Sequence, residues 1–179
     1  AAELRCKEAI SVDLETTSLR PREAAIVGFA FSWQPHQGVY VATAGPKDAA
    51  FCPLDDAIRL LKPVLEAETP AKVGQNLKYD IAVLKNHCVE LAGLSCDSMV
   101  ASYLLRPSAR SHGLDALARR YLDYETIKIG ELIGTGRDQV TMDQVPVEKM
   151  APYACEDADV ALQLCRRLSP QLAQQDLAA

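Results

Sequence analysis

Four carboxylates, Asp13, Glu15, Asp80 and Asp157, with Tyr153 one helical turn before the last of them, are the residues of this 179-residue chain whose types and spacing point to chemistry. They fall in three short segments, Val12-Asp13-Leu14-Glu15-Thr16-Thr17, Asn76-Leu77-Lys78-Tyr79-Asp80 and Tyr153-Ala154-Cys155-Glu156-Asp157. The first pair follows the apolar stretch Ala9-Ile10-Ser11-Val12, which reads as a buried strand. Residues i and i+2 of a strand project from one face, so both acids point the same way. Tyr153 and Asp157 stand at i and i+4 of a helix and also share a face. If the fold brings the three faces together, the carboxylates repel one another and their pKa values rise unless divalent cations occupy the site. That donor set suits hard, oxygen-seeking ions such as Mg2+ or Mn2+. Two of them roughly 3.5–4 Å apart can clamp the attacking and leaving oxygens of a phosphodiester during in-line displacement.

Taken singly, each acid has a plainer reading. Asp13 and Glu15 could be an exposed strand end, although Val12 and Leu14 alternate with them, so that the acids oppose the apolar face. Asp80 is favourable to the dipole at a helix start. Asp157 has Glu156 and Asp159 as acidic neighbours, and spacing does not choose among them.

The elements that must position these residues follow from periodicity. Ile26 to Trp33 alternates, with Val27, Phe29, Phe31 and Trp33 on one side and mostly small residues on the other, which predicts a second strand. The turn-forming Gln34-Pro35-His36-Gln37 leads through Gly38 to a third, Val39-Tyr40-Val41, completing a three-stranded meander. Leu54, Ile58, Leu61 and Leu65 repeat at helical spacing, in a helix that Pro63 is expected to kink or divide. Lys72-Val73-Gly74 reads as a short fourth strand, and Asn76 as the N-cap of a helix carrying Asp80 in its first turn. Asp97 is expected to cap a helix that buries Val100, Tyr103 and Leu104 and stops before Pro107. Ser111 is expected to cap another bearing Leu114, Leu117, Ala118 and Tyr121. Tyr124 to Gln144, with Gly130, Gly134 and Gly136, is expected to be loop-rich and mobile. A last helix runs through Tyr153, Asp157, Leu164 and Leu168, with Pro152 in its first turn or at a kink. Strands first, then alternating strand and helix, give an α/β layered domain.

The three segments, in this order, resemble the three motifs of the DEDD exonuclease superfamily, and Tyr153 four residues before Asp157 marks its tyrosine-type subgroup. The longer stretches Lys72-Val73-Gly74-Gln75-Asn76-Leu77-Lys78-Tyr79-Asp80 and Tyr153-Ala154-Cys155-Glu156-Asp157-Ala158-Asp159-Val160 are similar to the 3'–5' proofreading domain of bacterial (family A) DNA polymerase I, from about Ile10 to Leu168. The resemblance implies a ribonuclease H-like fold, a mixed five-stranded sheet with helices on both faces. It selects Asp157 over its acidic neighbours. The implied activity is stepwise hydrolysis of single-stranded DNA from its 3' end to nucleoside 5'-monophosphates, with a polymerase domain expected in the full-length chain. One cation would be held by Asp13, Glu15 and Asp157. A second would be reached by Asp13 and, through water, by Asp80, with Tyr153 orienting the nucleophile. Thr16, Leu19, Gln75, Asn76 and Tyr79 match positions that contact the terminal nucleotides. The family's phosphate-contacting arginine falls at Ser111 rather than Arg110, and Ile129 stands where an aromatic is common. A ribonuclease of the same superfamily and a ligand-binding spacer domain are the competing readings. The filled ligand set counts against the second.

Composition is consistent with one soluble domain over residues 1–179, expected to be a monomer, with 49% hydrophobic and 24% charged residues. No apolar run is long enough for a membrane span, and no basic-then-apolar leader opens the sequence, which places the protein in the cytoplasm by default. Six cysteines without C-x-x-C spacing are expected to be reduced and mostly buried. His36, His87 and His112 have no partner constellation and are expected at surface or capping positions. A net charge of −5 is unfavourable for nucleic-acid binding, but the four site carboxylates would account for most of it and bound cations would offset them. The segment from Arg106 to Arg137 carries a small basic excess, more simply an ordinary solvated surface than a phosphate-facing edge.

Overall fold

The computed structural model describes residues 1–177. Five strands, β1 (Ala9–Thr16), β2 (Ile26–Gln34), β3 (Gln37–Ala42), β4 (Ala71–Gly74) and β5 (Leu94–Asp97), form one sheet in the order β3-β2-β1-β4-β5. The meander β1-β2-β3 is antiparallel, whereas β4 and β5 run parallel to β1, so the sheet is mixed. Helices cover both faces. On one lie α1 (Leu54–Leu65) and α2 (Leu77–Asn86), whose Leu61, Val64, Leu65 and Val83 pack with Val12, Phe29 and Phe31. The other face is crossed by the long α6 (Val147–Gln174), against which α3 (Ser98–Leu105) and α4 (Leu114–Leu122) pack; the short α5 (Ile129–Ile133) precedes it.

Alternation along β1 assigns its two sides. Ile10, Val12 and Leu14 enter the core under α1 and α2, which sends Ser11, Asp13 and Glu15 to the α6 face. The small residues that alternate with the phenylalanines of β2 now acquire a purpose. Ala30 meets Ala154 and Ala158, so the helix lies directly on the sheet. Gly38 on β3 is part of the same close approach, because a Cβ there would lie 2.6 Å from Cys155 Cβ and 2.8 Å from the Cys155 carbonyl oxygen. Backbone cannot swing aside as a side-chain tip can. Gly38→Ala is therefore expected to destabilise by about 1–3 kcal/mol, the range for overpacking. That is a fall of several degrees in melting temperature in a thermal scan, since ~1 kcal/mol corresponds to about 2–4 °C at this size.

Several sequence expectations are corrected. Val27 does not share a face with Phe29 and Phe31. The β1–β2 register shifts between Glu15 and Thr16, and the extra residue turns Val27 toward Met142, Val145 and Met150 beside α6. Pro63 does not divide α1, because it lies on the exposed side of the final turn, where one lost donor matters little. Pro152 sits in the second turn of α6 and not the first. Residues Val100, Tyr103 and Leu104 are exposed; α3 instead buries Ser98, Ala101 and Ser102. Its contact with α6 is close enough to require small side chains. The fifth strand, which periodicity did not locate, is only four residues long and largely exposed. All six cysteines are free, as expected, but only Cys165 is buried. Among the described residues, no helix is long and apolar enough to cross a membrane.

Candidate active site

Asp13 and Glu15 stand at the carboxyl end of β1, beyond the point at which β4 stops pairing with it at Ser11. Ligand sites of open α/β sheets favour this position, where strand ends leave a crevice. The gap is taken by the start of α2. Asp80 Oδ1 accepts a hydrogen bond from the Leu14 backbone N–H at 3.2 Å, occupying the ladder position a neighbouring strand would have filled. α6 then passes over the same edge and brings Tyr153 and Asp157. One oxygen each of Asp13, Glu15 and Asp157 lies within 4.8 Å of the others, a spacing suited to a single cation. Asp80 stands outside that trio, with one oxygen already engaged.

The acidic neighbours of Asp157 are occupied elsewhere. Glu156 accepts hydrogen bonds from the Tyr124 hydroxyl at 2.7 Å and the Ile127 N–H at 2.7 Å, tying the chain before α5 to α6. Asp159 accepts from the His36 N–H at 2.9 Å and Gln163 Nε2 at 2.7 Å. Geometry thus separates the three acids that spacing left equivalent.

No lysine, arginine or histidine lines the cavity at this site, and no ion pair described for the chain includes any of the four acids. Their charges are uncompensated. Burial pushes the Asp13 carboxyl up to about 6. Glu15 rises well above its ordinary value through burial and then the charges of Asp13, Asp157 and Asp80. Asp80 rises through burial and Asp13, against two backbone hydrogen bonds that favour its anion. Asp157 rises through burial and Asp13, offset in part by the Tyr153 hydroxyl. Burial and the neighbouring Asp157 and Glu15 likewise hold Tyr153 firmly protonated. A buried, purely anionic donor set of this kind fits a divalent cation, whose charge removes the repulsion.

The cavity has a volume of about 860 Å³ and takes in Thr16, Leu19, Gln75, Asn76 and Tyr79 along with the acids. Leu19 is 93% exposed at its rim, so it is not a packing residue. Tyr79 rests against the core, and its hydroxyl bonds to Thr16 Oγ1 and the Ser18 carbonyl, which fixes the loop after β1. Gln75 spends both ends of its amide within the protein, donating to the His112 carbonyl at 2.9 Å and accepting from Ser98 Oγ. Asn76 occupies the N-cap position of α2 but in a left-handed conformation, and its side chain makes no cap. That task falls to Asp97, whose carboxylate accepts from the N–H groups of Asn76 at 3.0 Å and Leu77 at 2.8 Å while also capping α3 through Met99 at 2.9 Å. Asp97→Ala is expected to lower unfolding free energy by about 2–3 kcal/mol, the loss of a cap plus bonds to a charged acceptor. Urea titration would measure it, and a loss below ~0.5 kcal/mol would count against a double cap. At α4 the N-cap is Gly113, with Ser111 Oγ accepting from its N–H at 3.2 Å.

Part of the cavity lining was not legible. Met99 was not singled out, Leu114 was read as an ordinary helix position and residues 139–142 as loop, yet all line the cavity. The alternation Val140-Thr141-Met142 is the only local signal for that segment. No histidine lines the cavity: His87 ends α2, and His112 Nδ1 meets Ser102 Oγ at 2.9 Å. Two basic residues of the 106–137 segment are paired with acids, Arg119 with Glu125 at 2.6 Å and Lys128 with Asp115 at 2.9 Å.

This sheet order, with paired acids at the end of the first strand and a third acid brought by a helix crossing the same face, defines the fold as ribonuclease H-like. Its fold matches Brucella melitensis NrnC solved with bound Mg2+ at a TM-score of 0.72 and 18% identity, over 98% of this chain and 78% of that one. Residues 1–173 match the model of the 3'-5' exonuclease family, and the chain belongs to that family. It is similar to DNA polymerase I of Pseudomonas aeruginosa, 41% identical over 169 residues covering 92% of this chain, and of Rhizobium leguminosarum, 34% identical over 191 residues covering 96%. The chain spans only 18% and 19% of those relatives' lengths.

Proposed function

We propose that this chain is the 3'-5' exonuclease domain of a DNA polymerase I, releasing nucleoside 5'-monophosphates from the 3' end of single-stranded DNA. The observation that carries the reading is the convergence of the Asp13, Glu15 and Asp157 oxygens, within 4.8 Å of one another, in a cavity that apolar side chains also line. A volume of about 860 Å³ lies in the range of ligand clefts, roughly 300–1,000 Å³. Asp13, Glu15 and Asp157 would hold one Mg2+ or Mn2+, and Asp13 with Asp80 would support a second. Bound there, such ions lower the pKa of an attacking water and neutralise charge at the leaving 3'-oxygen.

The protein's own groups do the rest. Tyr153 keeps its proton at neutral pH, so its phenol orients the nucleophile as a hydrogen-bond partner and does not act as a base. Leu19, Ile129 and Val140 line the cavity and would present apolar surface to a terminal base, which tolerates any sequence. Thr16 and Asn76 line the same cavity and would meet the terminal nucleotide. The small fraction of the relatives' length that the chain spans supports a polymerase domain elsewhere in the polypeptide.

The test is a gel of 3'-labelled and 5'-labelled DNA oligonucleotides, and RNA of the same sequence, with Mg2+, Mn2+ or chelator. A 5'-labelled DNA should shorten one nucleotide at a time and be untouched in chelator. Internal cleavage, metal-independent cleavage or faster loss of the RNA would overturn the reading.

A further inference from the structure

Tyr40, on β3, stands behind the carboxylates and not among them. Its ring belongs to the apolar layer between sheet and α6, with Val27 and Met150 on one side and Ala30, Ala154 and Ala158 on the other. The hydroxyl at its tip is buried and has no hydrogen-bond partner, a condition rare enough in folded proteins to need a reason.

Gly28 explains how the phenol fits. A Cβ on Gly28 would fall 2.3 Å from the Tyr40 hydroxyl oxygen, so that oxygen fills the space in which a side chain at 28 would begin. Gly28 is the ladder partner of Glu15. Directly opposed Cβ positions of an antiparallel pair are about 4.5–5.5 Å apart, so a hydroxyl 2.3 Å from the position of a Gly28 Cβ lies on the same face as the Glu15 side chain and within a side-chain length of its Cβ. Rotation about the side-chain bonds of Glu15 carries its carboxylate toward that hydroxyl. No side-chain hydrogen bond to Glu15 is described for this chain, leaving its carboxylate without a donor to orient it.

We propose that Tyr40 is a positioning residue, whose O–H donates to the Glu15 carboxylate from behind after a small rotation of that side chain and so restrains it among the rotamers that face Asp13 and Asp157. Ligating carboxylates are commonly held by such outer hydrogen bonds, because a flexible acid repelled by its neighbours otherwise spreads over several rotamers. The inference rests on the metal-site reading above, and the experiment separates the two.

Tyr40→Phe deletes the hydroxyl and keeps the ring. Calorimetric titration with Mn2+, a metal-free thermal scan and the Mn2+ dependence of oligonucleotide hydrolysis are compared with wild type. The expected result is an unchanged metal-free melting temperature and a Mn2+ dissociation constant raised about 10–100-fold. Turnover should recover at saturating Mn2+, with KM for the oligonucleotide unaltered. A wild-type isotherm in the variant overturns the inference, as does a variant that fails to fold or melts more than about 4 °C lower without metal, which would mark Tyr40 as a packing residue. If the wild type itself binds no Mn2+, the metal-site reading is overturned and this inference with it.

Discussion

Asp157→Ala is expected to abolish 3'-end hydrolysis, by about 10³-fold or more, while leaving the domain as stable as wild type or more so in chelator. The two effects have one cause. Asp157 supplies one of three oxygens gathered within 4.8 Å, and its removal leaves a pair of acids too few to hold a cation in the same place. A loss of about 4 kcal/mol of transition-state stabilisation corresponds to that thousandfold. Yet the carboxylate is half-buried, repelled by Asp13 and helped only in part by Tyr153, so deleting it relieves strain in the metal-free fold. Activity is read from release of labelled nucleotide at saturating Mg2+, and stability from a thermal scan in chelator. Near-normal turnover would remove Asp157 from the site. A large fall in metal-free stability would show that the residue serves the fold.

The second large effect is a dependence of stability on pH that metal cancels. Asp13, Glu15, Asp80 and Asp157 all have pKa values raised in the folded state, so the native protein binds more protons than the unfolded chain across the intervening range. Stability is then fully present below the unfolded values, near 4, and is lost as pH climbs through the folded ones. For Asp13, whose folded value is about 6, the loss runs from about pH 4 to 6 and amounts to about 3 kcal/mol. The other three extend it further upward in pH. Metal-free protein should therefore melt at lower temperature at pH 8 than at pH 5, the reverse of a domain held by carboxylate ion pairs. Added Mn2+ should restore the loss at pH 8, by about 2.7 kcal/mol at a hundredfold excess over its dissociation constant. A melting temperature indifferent to both pH and Mn2+ would contradict an uncompensated acid cluster.

Much of the fold was legible because the patterns that encode it are local. An apolar stretch marked β1, period-2 alternation β2 and a turn signal β3, and helical spacing marked α1, α4 and α6. Asp97 before an apolar run correctly announced the start of α3. Where the reading failed, a distant neighbour had intervened. The bulge opposite Glu15 turned Val27 to the other face, and nothing in Ile26 to Trp33 alone encodes it. Asp97 took over the capping of α2 from Asn76 across twenty-one positions of sequence. The face of α3 was misjudged because apolarity implied burial, whereas close approach to α6 favoured Ala101 and Ser102 and left Tyr103 outside.

By itself the sequence determined which residue types stand at which spacing: an acid pair on one side of a strand, an acid in the first turn of a helix, a tyrosine and an acid one turn apart. Those relations depend on backbone periods of 2 and 3.6 residues and survive any surroundings. Tertiary structure alone decided that Asp157 turns to the cavity while Glu156 and Asp159 turn to Tyr124 and His36, and that the three oxygens meet within 4.8 Å. It also decided how deeply the acids are buried and which apolar side chains face them. Desolvation and convergence are properties of groups far apart in the chain, and no local pattern carries them.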